Sequence, residues 1–359
     1  MSPARERTTP VVLPVGGGKG GIGKSALAAN LALALARLEC RVVLVDAALG
    51  GSDLHNLLGL ENDLPGLGEV LTQKGLTIDQ VVHPVLEPRF CFVPGDAMMV
   101  ATANPGFQKK RKLLHDVARL PAGFVLLDLG PGSAITVLDF FLVSPLSLVV
   151  MLPERPAVRS AFNFLKNAVF RALERRFRLN SKTQAVLDEF RQRSRGPGAL
   201  KMAELARAMD QALPGQGQEV RALLASWRPK LVLNRVRQVD EFVYASQLER
   251  WARQDLGLSL EVAGFVPEDD LVHQAALEGR PALDLDPRSP FCRAVALLAR
   301  EFSRWAGRPQ IWAARDDAPG SFERAATLFA PLFPPPGTAL PTRKELIRRL
   351  RELESQIKD

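Results

Sequence analysis

The chain has 359 residues, 47% of them apolar, and a formal net charge of +8. That length holds one large α/β domain or two smaller ones around a substantial core, and the basic balance favours an anionic partner without requiring one. Three scattered cysteines, Cys40, Cys91 and Cys292, show no C-x-x-C spacing, which argues against a disulfide framework or thiolate cluster. They fit a reduced, cytoplasmic compartment. Residues 1–7 contain no apolar stretch of the kind a secretory leader needs. The longest apolar run, 137–152, is interrupted by Asp139 and Pro145 and is too short to span a bilayer.

In chain order, residues 1–10 read as an N-terminal tail. Val11 to Val15 predicts a buried strand and Ala26 to Ala36 a helix. Between them stands Gly16-Gly17-Gly18-Lys19-Gly20-Gly21-Ile22-Gly23-Lys24-Ser25. Strand, glycine loop and helix N-terminus make a context in which backbone N–H groups converge on an anion. The spacing of Gly18, Gly23, Lys24 and Ser25 satisfies the Walker A pattern, so the loop predicts a bound nucleoside triphosphate. Lys24 would reach the β- and γ-phosphates and the Ser25 hydroxyl would ligate Mg²⁺. Candidate nucleotide-binding residues here are Gly18, Lys19, Gly20, Gly21, Ile22, Gly23, Lys24, Ser25 and Ala26.

Arg41 to Asp46 and Phe124 to Asp128 each predict a buried strand ending in an acid. In a parallel sheet both acids stand at the carboxyl edge, beside the phosphate loop. Either could instead cap a helix. Phe90 to Val93 and Leu146 to Leu152 predict further strands. Phe162, Leu165, Val169, Leu173 and Phe177 recur at helical spacing, with Arg171, Arg175 and Arg178 on another face.

The second lysine of the loop, Lys19, makes Lys-Gly-Gly-x-Gly-Lys-Ser, which resembles the deviant Walker A box of the MinD/ParA family of nucleotide-switched dimers. The resemblance extends to residues 47–60, similar to the switch segment of the MinD–FlhG (FleN) branch, and to Pro65–Leu71. It continues through Asp128-Leu129-Gly130-Pro131-Gly132, Asn234-Arg235, 263–269 and Ser289-Pro290. It implies an α/β, three-layer P-loop NTPase with a mostly parallel sheet flanked by helices, binding ATP or ADP with Mg²⁺ and forming an ATP-dependent homodimer. Lys24 and Lys19 would be the cis and trans cations, and Asp46 and Asp128 would hold Mg²⁺ through water beside Ser25. These four charged residues are the catalytic candidates. Asn234, Arg235, Pro267 and Glu268 would frame adenine. In this family the second acid of Asp-x-Asp activates the attacking water. Here that position is Ala48, and the usual Asn is Asp53, which implies impaired hydrolysis or dependence on a partner.

The resemblance implies a positioning role for a division site, flagellum, pilus or chromosome, from the cytoplasm, the inner membrane face or a cell pole. Residues 1–10 do not resemble the activator motif of FlhG-like proteins. Two other readings are a DNA-partition ATPase of the ParA type and a non-hydrolysing ATP-binding interaction protein. Residues 11–310 would form the ATPase domain, interrupted by a helical insertion at about 175–228. Arg175, Arg176, Arg178, Lys182, Arg191, Arg193 and Arg195 make the insertion basic. They form either a solvated face or a docking surface for nucleic acid, lipid or protein. His273 reads as a helix-surface residue. Residues 311–341 read as a proline-rich linker. Residues 342–359 predict an amphipathic helix, with Thr342 and Glu345 in a capping box and Leu346, Leu350, Leu353 and Ile357 on one stripe. The spacer would set that helix apart from the ATPase, as a partner- or self-docking element or a membrane anchor.

Overall fold

A computed structural model describes residues 9–49, 51, 53–61, 63–95, 106–193, 201–305, 320–333 and 342–356. Gly50, Ser52, Arg195, residues 196–198, Gly307, Pro334–Gly337, Ile357 and most of the N-terminal tail lie outside these. The described chain forms two compact units. The first contains β1 (Val11–Gly16), which is continued by the phosphate loop, then α1 (Lys24–Arg37) and β2 (Val42–Ala47). Short helices α2 (Leu54–Leu57) and α3 (Leu67–Thr72) follow, then β3 (His83–Pro84) and β4 (Phe90–Val93). Helix α4 (Phe107–Val117) leads into β5 (Phe124–Leu129).

The second unit takes over with α5 (Ile135–Phe141), β6 (Leu148–Met151) and the long α6 (Arg155–Phe177). Three helices occupy the region read above as a helical insertion: α7 (Ser181–Arg193), α8 (Met202–Ala212) and α9 (Gln216–Ser226). Then come β7 (Lys230–Val236), α10 (Val243–Leu256) and β8 (Glu261–Pro267). The first unit regains the chain for α11 (Leu271–Leu277), α12 (Ala282–Leu285) and α13 (Pro290–Ser303). The second closes it with α14 (Ser321–Phe329) and α15 (Arg343–Gln356).

Strands in the first unit run in the order β3-β4-β2-β5-β1, and in the second β6-β7-β8. Every pairing within a unit is parallel except that of β3 with β4. This is the expected α/β P-loop architecture, a mostly parallel sheet flanked by helices. β1, β2, β5 and β6 are buried along their whole length, which is why they read as unbroken apolar runs rather than alternating ones. α1 is apolar almost all round because it is enclosed, packing on β2, β5 and α13. Phe162, Leu165, Val169, Leu173 and Phe177 form the buried face of α6, as their spacing predicts. Ser289 caps α13, its Oγ accepting from the Cys292 N–H at 3.2 Å, with Pro290 in the first turn.

The tail differs from the expectation in two respects. Residues 321–329 are helix rather than linker. Phe322, Ala325, Ala326 and Phe329 recur at three-to-four-residue spacing and are buried where α14 packs on β8. The flanking prolines obscure that pattern in the sequence. The capping box at Thr342 and Glu345 forms, with the Thr342 N–H donating to Glu345 Oε2 at 2.8 Å. The helix it starts is not set apart. α15 packs on α10 and α14 with Leu346 and Leu350 buried, because its apolar stripe finds a complementary face in the same unit. Arg349 bonds Asp240 at 2.6 Å, Arg351 bonds Glu323 at 2.7 Å, and Glu354 contacts Ser246. Among the described residues no helix is long and apolar enough to cross a membrane.

Candidate functional site

The phosphate loop has to be built from glycine for steric reasons that differ along its length. A Cβ at Gly17 would lie 2.6 Å from the Val150 carbonyl oxygen, and one at Gly18 would lie 2.6 Å from that of Ser160. β6 and α6 therefore approach the loop too closely for any side chain there. Gly23, the residue before α1, has φ 85°, the left-handed conformation that turns the chain into the helix. Lys19 stands exposed on the loop between Gly18 and Gly20.

Within the first unit Lys24, Ser25, Asp46 and Asp128 come together. Lys24 opens α1 and is 7% exposed. Asp46 and Asp128 are register partners on adjacent parallel strands, so the two strand-end acids stand side by side. Their roles diverge. Asp46 accepts the Ala48 N–H on Oδ1 and the Leu54 N–H on Oδ2, both at 3.1 Å, and so organises the segment after β2. Asp128 bonds Ser25, while its Oδ1 is buried with no hydrogen-bond partner among the described residues. Burial pushes the Asp128 carboxyl up to about 7, helped by Asp46, against the pull of Ser25 and Lys24. Burial likewise lowers the Lys24 ammonium, which Asp128 partly restores.

A buried carboxylate oxygen that lacks a donor, beside a hydroxyl and a second acid, suits a hydrated divalent cation. Such an ion would return Asp128 to its charged form. The donor set at Ser25 and Asp128 therefore fits Mg²⁺. Ala48 adjoins this group: a Cβ on Gly130 would lie 3.7 Å from Ala48 Cα. Asp53 is exposed and makes no capping bond to α2.

Within the second unit, Asn234 lies on β7 and is 4% exposed. Its Nδ2 donates to the Ile22 carbonyl at 2.8 Å, which ties the loop to this strand. Arg235 follows with φ 56°, a left-handed conformation costing a non-glycine residue about 1 kcal/mol or more, and its side chain is exposed. Pro267 ends β8 in register with Val236, and the Glu268 N–H donates to the Val236 carbonyl at 2.9 Å. Arg237, which the motifs do not single out, pairs with Glu268 and holds its carboxyl below the usual range. His273 is exposed on α11, as expected. Ser160, the loop's other neighbour, carries no local signal in the sequence.

Residues 14–282 match the family model described as CobQ/CobB/MinD/ParA nucleotide binding domain. The chain belongs to this nucleotide-binding family. It is 30% identical over 155 residues to a septum site-determining protein MinD of Chlorella vulgaris, covering 42% of this chain and 53% of that one. An iron-sulfur cluster carrier protein of Bacillus subtilis (strain 168) is 32% identical over 136 residues, 38% and 37% of the two chains. The flagellum site-determining protein YlxH of Helicobacter pylori is 28% identical over 156 residues, 42% and 50%. The chain thus spans about half the length, or less, of these curated relatives. The structure of MinD from Pyrococcus horikoshii OT3, complexed with Mg-ADP, superposes with a TM-score of 0.58 at 18% identity. It covers 84% of this chain and 98% of that one. At that identity the likeness establishes the fold.

Proposed function

We propose that the chain is an ATP-dependent dimerising switch of the MinD/ParA type, acting in intracellular positioning of a septum, flagellum, pilus or chromosome. The observation that carries this reading is the group at the start of α1: buried Lys24, the Ser25 hydroxyl, and an Asp128 oxygen with no hydrogen-bond partner among the described residues. Septum- and flagellum-determining relatives support the cellular role. Bound Mg²⁺ would supply positive charge to the phosphate oxygens. Lys24, itself buried, would orient the phosphates. Ser25 and Asp128, with Asp46 beside them, would hold the metal. Asn234 steadies the loop, and Arg235, Pro267 and Glu268 frame the base. Lys19, exposed on the loop, reaches the partner protomer's phosphates. The ion pairs of Arg176, Arg191 and Arg193 lend less support to DNA binding through the insertion.

Hydrolysis is the weak step in this reading. Ala48 has no proton acceptor, and both oxygens of Asp46 already accept backbone N–H groups. Lack of a positioned base costs roughly 10²–10⁴ in rate. The protein would dwell as an ATP-bound dimer until a partner supplies the missing group. Single-turnover hydrolysis by the wild type beside Ala48→Asp tests this. The substitution should raise the rate about 10²-fold or more. Brisk wild-type turnover that Ala48→Asp leaves unchanged would show that another residue handles the water.

A further inference from the structure

The inserted helices create a cavity that the nucleotide site does not use. Where α9 packs on α6 and the turn before β6, a half-open space of about 370 Å³ remains. Its floor is apolar, formed by Leu142, Val169, Leu224 and the indole of Trp227, and Arg175 and Arg176 stand at its rim. The floor is preformed. Trp227 Nε1–H donates to Ser147 Oγ at 3.1 Å, and its ring meets Phe141 edge-on with centroids 5.8 Å apart. The volume suits one bulky side chain or a fragment-sized group rather than a lone water.

The rim is cationic, and one of its arginines is poorly matched. Asp139, almost fully buried, gives both carboxylate oxygens to Arg171, at 2.7 and 3.0 Å. Arg175 reaches the same carboxylate only at 3.8 Å and is about half exposed. Arg176 bonds Glu219 at the surface. The surface also continues beyond the cavity. Val169, Ala172, Arg176 and Leu179 follow one another at three-to-four-residue spacing, so they share a stripe along α6 and its end. Leu179 is 93% exposed, the most exposed large apolar side chain among the described residues.

We infer that the α6–α9 cleft docks an extended acidic segment of a partner protein. A bulky apolar residue fills the cavity, one or two carboxylates following it engage Arg175 and Arg176, and a second apolar residue rests on Leu179. Charge complementarity selects an acidic partner, and the length of the stripe selects a peptide over a compact small molecule. The site lies where the 175–228 helices meet α6 and the turn before β6 and uses none of the nucleotide-site residues, so it stands apart from the switch proposed above.

The test uses the full chain and a fluorescein-labelled 12-residue peptide with the core Phe-Asp-Asp-Leu, titrated by fluorescence anisotropy. Saturable binding is expected, weakened about 10-fold or more by Arg175→Glu, the scale of one lost charge contact. Ala172→Leu, which intrudes on the cavity, should weaken it similarly, and Leu179→Ser less. A control peptide with lysines for the two acids should not bind. Nucleotide affinity of Arg175→Glu should match the wild type, which separates failure here from failure of the switch. The inference is overturned by absence of saturation below about 1 mM, the bottom of the useful affinity scale. Equal binding of the lysine peptide, or indifference to both Arg175→Glu and Ala172→Leu, overturns it too. N-acetylphenylalaninate binding as tightly as the peptide would assign the cavity to a small amphipathic anion instead.

Discussion

Replacing Asp128 by asparagine should stabilise the nucleotide-free protein at neutral pH while weakening its hold on a metal–nucleotide complex. The carboxyl is fully buried and is pushed from the ordinary 3.8 to about 7, first by burial and then by Asp46. Between those two values the folded chain keeps a proton that the unfolded chain has lost. Stability therefore falls as pH rises through the window and levels off above it. A shift of about three pH units, at about 1.36 kcal/mol each, sets the penalty at about 4 kcal/mol above pH 7. Asparagine has nearly the same shape and cannot ionise. Its advantage over the wild type should widen by about 3 kcal/mol between pH 5 and pH 8. Urea unfolding of both proteins at pH 5, 6, 7 and 8 with a chelator present, followed by circular dichroism, measures that difference directly. Titrating groups that do not interact with Asp128 cancel in the comparison. An advantage that stays constant with pH would refute the reasoning, because it would mean Asp128 is ionised throughout. In the same variant, loss of the carboxylate should lower Mg²⁺-dependent nucleotide affinity.

Lys19→Ala should abolish ATP-dependent dimerisation while leaving appreciable nucleotide binding, since Lys24 alone serves the cis phosphates. Sedimentation with ATP and Mg²⁺ decides it, and a normal dimer would remove the trans role. Leu350→Ala should destabilise the second unit by about 2–5 kcal/mol, the usual range for a buried leucine, because this residue of α15 is 1% exposed. A thermal transition equal to the wild type would mean that α15 leaves its seat in solution.

The parts of the site that are legible in the sequence are those encoded within one turn or one strand. The glycine loop, the two apolar strands ending in Asp46 and Asp128, and the Thr342 capping box each announce themselves within ten residues. What stayed hidden depends on contacts between distant segments. Asn234 meets Ile22 across 212 positions of sequence, so nothing near Asn234 says that its amide supports the phosphate loop. Ser160 closes on Gly18 for the same kind of reason. Arg237 holds Glu268 because β7 and β8 end in register, a fact of pairing rather than of motif. Strand β3, two residues long and antiparallel, is too short to show a period. α14 is a different case. Phe322, Ala325, Ala326 and Phe329 give a readable helical spacing, but the surrounding prolines weigh composition against it.

The 175–228 helices and the C-terminal helices share one compact unit, to which the loop residues 16–22 also belong. α7, α8, α9, α14 and α15 all belong to the second unit, whereas Lys24, Ser25, Asp46 and Asp128 belong to the first. The basic insertion is also less available than its composition implies. Arg171 and Arg175 share Asp139, Arg176 bonds Glu219, Arg191 bonds Glu174, and Arg193 bonds Glu189. The exposed pairs among these, those of Arg176 and Arg193, contribute little to stability, about 0–1 kcal/mol each, so they exchange readily for a competing carboxylate; the pair of Arg171 with buried Asp139 does not belong with them. A polyanion such as DNA would have to displace several at once, whereas an acidic peptide anchored by one apolar side chain needs only Arg175 and Arg176. Selection on the proposed surface would therefore need both parts, the cavity for the apolar anchor and the two arginines for the acids that follow it.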